Sequence, residues 1–428
     1  FMKILEYKNK DFFKYLKKHL VKRYSKVDNK LITDVRSIIS DVQKNGDNAL
    51  VKYSNKFDKI KISKKKLLFN QKYFNQKINV DKTIINSFKK AIKNITSFHQ
   101  KQFPKNIIQN KNNIVLKSQW KPIDSVGLYV PGGKAFYPSS LIMNVIPAKI
   151  AGVKRIVCVT PPTKKINPYF IALLKELKIK ETYFVGGAQA IAALALGTET
   201  INPVNKIFGP GNAYVAEAKK QLFGTVGIDL IAGPSEIIVV ADKNNDPKWV
   251  AADLMAQAEH DVNAQSILIT DNLSFAKNVL DNIKNLNKKM LRQKIISKSL
   301  KDNGLIVLVK KIEDCVDVIN YIAPEHLHIQ IKSYNKILPK ITNAGGIFLG
   351  EYSTEAFGDY IAGTNHILPT SGAAKFSSGL GVLDFMKRNS IVEMNSKSFN
   401  TLANDTKNMA SIEQLEAHKM SVRVRQKK

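Results

Sequence analysis

The chain has little cysteine, little tryptophan and far fewer acidic groups than basic ones. Cys158 and Cys315 are its two cysteines in 428 residues, too few for a disulfide framework and suited to a reducing compartment. Cys158 lies in Arg-Ile-Val-Cys-Val-Thr, a buried-strand pattern, and reads as a packing residue rather than a nucleophile. No apolar run approaches the ~20 residues of a membrane helix. The first residues, Phe1-Met2-Lys3, lack the apolar core and small residues of a signal peptide. The expected location is therefore the cytoplasm, without membrane association. What is present is ordinary for a globular protein, 44% hydrophobic, in a chain long enough for two or more domains.

The acidic deficit leaves a formal charge of +32, which raises a nucleic-acid-binding reading. The distribution argues against it. Lysines crowd the first 120 residues, as in Lys61-Ile-Ser-Lys-Lys-Lys66, and again 275–301, whereas 181–265 has five lysines against ten acidic residues. No basic stripe interleaved with aromatics and no helix-turn-helix or RNP-type pattern occurs, so no dedicated nucleic-acid partner is expected.

Residues 1–24 read as a helical arm, and apolar residues recur at helical spacing from about 29 to 100, with a helix from Asp81 to about Gln102. From Ser125 the texture becomes α/β. Strands at Ser125–Tyr129, Arg155–Thr160, Thr182–Val185 and Lys206–Phe208 alternate with helices at 139–151, about 167–177, one ending near Gly197, and 213–223. Such units imply a parallel sheet with helices on both faces. Pro131-Gly-Gly133, Gly186-Gly187 and Gly209-Pro-Gly-Asn212 fall where strands give way to helices, the place where such sheets bind ligands. None is Gly-x-Gly-x-x-Gly. They either admit a cofactor to a helix N-terminus or are merely tight turns.

A second α/β set follows, with strands after Glu236, at Ser266–Thr270 and at Gly304–Leu308. The expected fold is thus two Rossmann-like α/β lobes with parallel sheets, an N-terminal helical arm (1–24) and a small C-terminal helical tail. Residues 25–127 are grouped with 237–380 as the main domain, 128–236 as an inserted lobe, and 381–428 as a tail. The tail has too few apolar residues to fold alone and must dock on this or a neighbouring subunit.

The chemistry concentrates in a few segments. Asp246 and Pro247 open a helix, on which Asp253, Gln257 and His260 would share one face. Five of seven histidines lie beyond residue 259, as His260, His326, His328, His366 and His418, while His19 and His99 read as surface residues. His328 alternates with apolar neighbours and reads as a strand histidine. Zinc-class metals want N and O ligands in a fixed polyhedron with an open position. Acid–base work wants a histidine near neutrality beside a carboxylate, as Glu325-His326 offers. Gly358 and Gly363 would permit a close approach around Asp359.

Gly-Pro-Gly-Asn (209–212), Ala-Gly-Pro-Ser-Glu (232–236), Ala-Gln-Ala-Glu-His-Asp (256–261), Ala-Pro-Glu-His-Leu (323–327) and Gly-Asp-Tyr…Gly-Thr-Asn-His (358–366) occur in this order. Together they resemble histidinol dehydrogenase from about Tyr129 to His418, with weaker similarity before. The resemblance implies one Zn2+ per subunit on Gln257, His260, Asp359 and His418, with Glu325 and His326 as the acid–base pair. It implies substrate contacts from Ser235, His366 and Glu413, besides His326 and the four metal ligands, and NAD contacts from Tyr129, Gln189 and Asn212. It further implies a homodimer whose C-terminal tails reach into the partner's site, and oxidation of L-histidinol to L-histidine by two NAD+ as the close of histidine biosynthesis. A zinc hydrolase would use a similar ligand set without a nucleotide and is the competing enzyme reading. The non-enzyme reading is a basic nucleic-acid-binding protein.

Overall fold

The computed structural model describes residues 2–7, 11–21, 29–69, 78–132 and 137–426. Gly133 of the expected Pro-Gly-Gly turn, and the last two lysines of the basic C-terminus, lie outside these residues. Two parallel sheets organise the chain, as expected. A five-stranded sheet runs Glu181–Phe184, Arg155–Thr160, Ser125–Tyr129, Lys206–Phe208, Gly227–Ile228. A six-stranded sheet runs Lys3–Glu6, Leu305–Leu308, Gln265–Thr270, Glu236–Val240, His326–Ile329, Gly346–Leu349. Its inner strands read as nearly continuous apolar runs (Glu-Ile-Ile-Val-Val, Gln-Ser-Ile-Leu-Ile-Thr) because helices cover both faces.

The helices begin where capping chemistry allows. Asp246 accepts from Lys248 N–H at 2.7 Å and starts Pro247–Ala258. Asn167 does the same for Pro168–Glu176 through Tyr169 N–H, and Asp81 for Lys82–His99 through Thr83 N–H. The lysine-studded 274–301 region is a pair of helices, Leu273–Asn287 and Gln293–Asp302.

Four features differ from the sequence expectation. The N-terminal arm is not wholly helical. Lys3–Glu6 is an edge strand paired with Leu305–Leu308, and the helix starts at Phe12. Second, the helices Asn29–Tyr53 and Lys82–His99 bury Val35, Ile38, Leu50 and Ile95 in the core of the five-stranded sheet, not with the six-stranded one. Third, His99 is fully buried. Its Nδ1 lies 2.9 Å from the Ile95 carbonyl, and burial lowers its pKa.

The fourth is a three-stranded antiparallel sheet, Met386–Met394, Ile114–Pro122 and Ile107–Lys111. Its hairpin turns at Asn112 and Asn113, both left-handed (φ 54° and 59°), a turn geometry that asparagine tolerates. From it the C-terminal helices Ser396–Ile412 and Glu416–Arg423 extend, tied by Ser398 Oγ donating to Asn113 O at 3.0 Å.

Candidate active site

A cleft of about 1450 Å³ separates the two parallel sheets. One wall is formed at the carboxyl ends of the five-stranded sheet. Tyr129 closes a strand there, Gly186-Gly187 starts the helix Gly187–Leu196, and Asn212 caps the helix Ala213–Leu222. These glycines are close-packed rather than incidental. A Cβ at Gly209 would sit 2.2 Å from Tyr129 O, and one at Gly186 would sit 2.5 Å from Pro161 Cγ. The Gly209 loop is clamped from beneath. Its N–H donates to Asp229 Oδ2 at 2.7 Å, and its carbonyl accepts from Lys219 Nζ at 3.0 Å. Lys219 and Asp229 form an ion pair with side chains 3% and 2% exposed. Tyr129 OH accepts the Gly187 N–H at 3.1 Å. Asn212 spends its amide oxygen on the Tyr214 and Val215 N–H groups, leaving its NH2 for the cleft.

The opposite wall uses the amino ends of the six-stranded sheet. Ser235 precedes one strand, and Glu325-His326 opens another. Gln257 and His260 come from the end of the helix Pro247–Ala258, and Glu355 and Asp359 from one face of the short helix Glu355–Tyr360. His260, Glu355 and Asp359 bring their ligand atoms within 4.8 Å of one another. The helix C-terminus adds a fixed partial negative charge beside them.

His326 is oriented by its neighbours. Its Nδ1 lies 3.1 Å from the Glu236 carbonyl, an acceptor only, so Nδ1 carries the proton. Nε2 then faces Asp359 Oδ1 at 3.5 Å, too far for a full hydrogen bond. Glu325 Oε2 accepts from Glu236 N–H at 2.8 Å and lies 3.5 Å from both His326 Nδ1 and Gln257 Nε2. Burial works against a charged His326, but Glu355, Glu325 and Asp359 outweigh it and hold the imidazole well above its ordinary value. Burial pushes Glu355 up to about 8, despite the pull of His326. Asp359 is held low in spite of its burial, chiefly by His326. Burial lowers His366, whose Nδ1 lies 2.9 Å from the Asp359 carbonyl.

Among the described residues, several buried polar atoms here have no partner: Gln257 Oε1, Glu355 Oε2, His326 Nε2 and, across the cleft, Gln189 Oε1. Such atoms are rare in folded proteins and point to ligands. An oxygen donor at Gln257, an imidazole and two carboxylates suit a borderline cation such as zinc, whose charge would also favour ionised carboxylates. The glycine loops and two helix N-termini opposite suit a diphosphate.

The cleft therefore gathers Tyr129, Gln189, Asn212, Ser235 and His366 with Gln257, His260, Asp359, Glu325 and His326. It does not gather Glu413 and His418. Both are exposed on the C-terminal tail and line no part of it. Asp253 does not share the cleft face with Gln257 either. It turns to Gln330 Nε2 (2.6 Å) and His328 Nδ1 (3.2 Å), a buried cluster that ties the helix to the strand. No sequence expectation falls on Glu355, although its four-residue spacing from Asp359 is a signal for it.

The histidinol dehydrogenase family model matches residues 21–426. The chain belongs to the histidinol dehydrogenase family. The match reaches well before Tyr129, so the lysine-rich N-terminal part belongs to the family too. Histidinol dehydrogenase of Rhodospirillum rubrum is 48% identical over 395 residues, covering 91% of each chain. That of Agrobacterium fabrum is 48% identical over 394 residues, again 91% of each. The crystal structure of histidinol dehydrogenase from Elizabethkingia anophelis superposes with a TM-score of 0.92 at 35% identity, covering 99% of this chain and 98% of that one. As a member of this family the protein is an oxidoreductase. No helix among the described residues is long and apolar enough to cross a membrane.

Proposed function

We propose that the chain oxidises L-histidinol to L-histidine through histidinal, using two NAD+ in succession, as the last steps of histidine biosynthesis in the cytoplasm. The reading rests on family membership together with one observation. Gln257, His260 and Asp359 meet in a single cleft beside an imidazole whose Nδ1 proton is committed to a backbone carbonyl.

Zinc would be held by Gln257, His260 and Asp359, with His418 of the partner subunit as the fourth ligand. When bound, it supplies a Lewis-acidic anchor for the substrate's amino and imidazole nitrogens. NAD+ supplies the hydride acceptor, with Tyr129, Gln189 and Asn212 facing it. With the zinc charge offsetting Asp359 and Glu355, His326 would be neutral and take the hydroxyl proton at Nε2, the nitrogen left free by the Glu236 carbonyl. Glu325 draws a proton from water as it adds to the aldehyde while His326 returns its proton to the carbonyl oxygen, which frees His326 to take a hydroxyl proton again when the hydrate loses its second hydride. Ser235 and His366 position the substrate, joined by Glu413 of the partner subunit. A closed site matters because a free amino-aldehyde is reactive.

The tail, 381–428, is exchanged between two subunits in this reading, and 128–236 is the cofactor lobe. Its apolar side chains support that. Met409, Ile412 and Val424 are 66%, 83% and 67% exposed on helices that cover nothing in their own cleft. The test is NADH formation with histidinol. It should yield two NADH per histidinol, stop on chelation and return with Zn2+. Indifference to chelation would remove the metal from the reaction, and a single NADH per histidinol would remove the second oxidation.

A further inference from the structure

Asp58 lies on the cofactor wall of the cleft, beside Phe57, Ile60 and Tyr129. It ends the turn Ser54–Asp58 that continues the helix Asn29–Tyr53, and the chain leaves it through a left-handed Lys59 (φ 55°). The Phe57 ring stacks on Tyr53, with centroids 5.7 Å apart and planes 8° from parallel, which fixes the turn. Asp58 Oδ2 is buried and accepts no hydrogen bond from any described residue. Burial pushes the carboxyl up to about 6. Its charge adds to burial in raising the Tyr129 phenol. A buried carboxylate oxygen without a donor is destabilising by itself. Its place in a ligand cleft indicates that the donor belongs to the ligand.

We propose that Asp58 accepts the 2′- and 3′-hydroxyls of the adenosine ribose and thereby selects NAD+ against its 2′-phosphorylated counterpart. This rests on the NAD reading above and names the residue that sets its cosubstrate specificity. A vicinal diol offers two donors to the two oxygens of one carboxylate, and a charged acceptor strengthens both bonds. A 2′-phosphate offers no donor there and sets its own negative charge against the carboxylate.

The ribose concerned is the adenosine one because of where Asp58 stands. It acts on Tyr129, which is bonded to Gly187 at the helix N-terminus suited to the diphosphate. The charges that act on His326, where hydride must leave, are Glu355, Glu325 and Asp359. Dinucleotide sites of the usual kind take this acid from about 20 residues beyond a Gly-x-Gly-x-x-Gly turn. Here it comes from the N-terminal helices packed against the same lobe, so no local motif announces it. Lys164 also lines the cleft, and its ammonium suits the diphosphate. Were it to hold a 2′-phosphate instead, the two dinucleotides would bind alike.

The experiment is equilibrium binding of NAD+ and NADP+ to the full-length, zinc-loaded protein without histidinol, for the parent and Asp58→Asn. The parent should favour NAD+ by about tenfold or more, and Asp58→Asn should bring the ratio close to one, mainly by weakening NAD+. An unchanged ratio in the variant, or equal binding by the parent, would overturn the role of Asp58 while leaving the NAD reading intact. A parent that binds neither dinucleotide would overturn both. Competition on the parent keeps the question decidable should the variant misfold. AMP should displace NAD+ and adenosine 2′,5′-bisphosphate should not, whereas displacement by both would sink the assignment.

Discussion

On the five-stranded side of the cleft, ligand-facing groups follow the carboxyl ends of strands, at glycine turns that lead into helix N-termini. On the six-stranded side they precede the strands or close a helix, so the sheet is used from its amino end and the nearest helix dipole is reversed. The first arrangement suits an anion and the second a cation. The two also differ in how far the protein completes them. The glycine loop at 209 is held on both its polar groups by the buried Lys219–Asp229 pair. Around that loop Gln189 Oε1 and Asp58 Oδ2 lack partners among the described residues, whereas the facing wall keeps Gln257 Oε1, His326 Nε2 and Glu355 Oε2 without partners close to the His260–Glu355–Asp359 group. A loop finished at its own polar groups can bind a cosubstrate that comes and goes. A cluster of unfinished side chains is completed by what it binds.

Substitutions can break this contrast. The largest effect is expected from His326→Asn, which should lower turnover by about 10²- to 10⁴-fold while leaving zinc content unchanged by metal analysis. Undiminished turnover would take His326 out of proton transfer. His260→Ala should lose metal and activity together, by more than the roughly 10–100-fold that loss of an outer-shell partner costs. A full complement of zinc in that variant would mean another ligand does its work.

At the clamped glycine loop the expected damage is to stability. Lys219→Met leaves the Asp229 carboxylate buried and unpaired, and should cost about 3–5 kcal/mol in denaturant unfolding. Replacing both partners by apolar residues should return most of that loss but not the affinity for NAD+. A double variant with normal NAD+ binding would show that the pair does not position the loop.

The smallest effect concerns Asp58. Its folded-state carboxyl stands at about 6, above the ~3.9 of an unfolded aspartate. The unfolded chain therefore releases this proton first, and stability falls as pH rises from about 4 to about 6. Asp58→Asn removes that fall. Because the group is partly open to solvent, the gain in melting temperature at pH 8 should be only about 1 °C, and it should vanish at pH 4. A variant less stable than its parent at pH 8 would mean that the carboxylate has a protein partner.

The parts of the fold legible beforehand were those where one residue type settles the backbone. Asp246 announces the helix that it caps, the helices expected from about 81 and 167 begin at caps of the same kind, Asp81 and Asn167, and the turns at 186 and 209 mark the ends of buried strands. Amphipathic spacing showed that the helices Asn29–Tyr53 and Lys82–His99 bury a face, but not which sheet receives it. Packing partners are set by shape, which periodicity does not encode. The hairpin at 107–122 was harder still. Its first strand, Ile107–Lys111, is wholly exposed, so it lacks the alternation that marks a half-buried strand. In the site, helical spacing put Asp253 and Gln257 one turn apart on a buried helix, but only Gln257 lines the cleft. The helix ends before His260, and Asp253 finds a closer partner in Gln330. The same spacing, applied to Glu355 and Asp359, would have been right.

The pairing of Lys3–Glu6 with Leu305–Leu308 bears on how the protein is made. All five strands of the smaller sheet lie between residues 125 and 228, a continuous stretch that can condense soon after leaving the ribosome. The edge strand Lys3–Glu6 of the larger sheet is synthesised well ahead of the strand it pairs with, and has nothing to join until some three hundred residues later. A ribosome-bound chain should accordingly show a protected 125–228 segment while Lys3–Glu6 is still open to proteases.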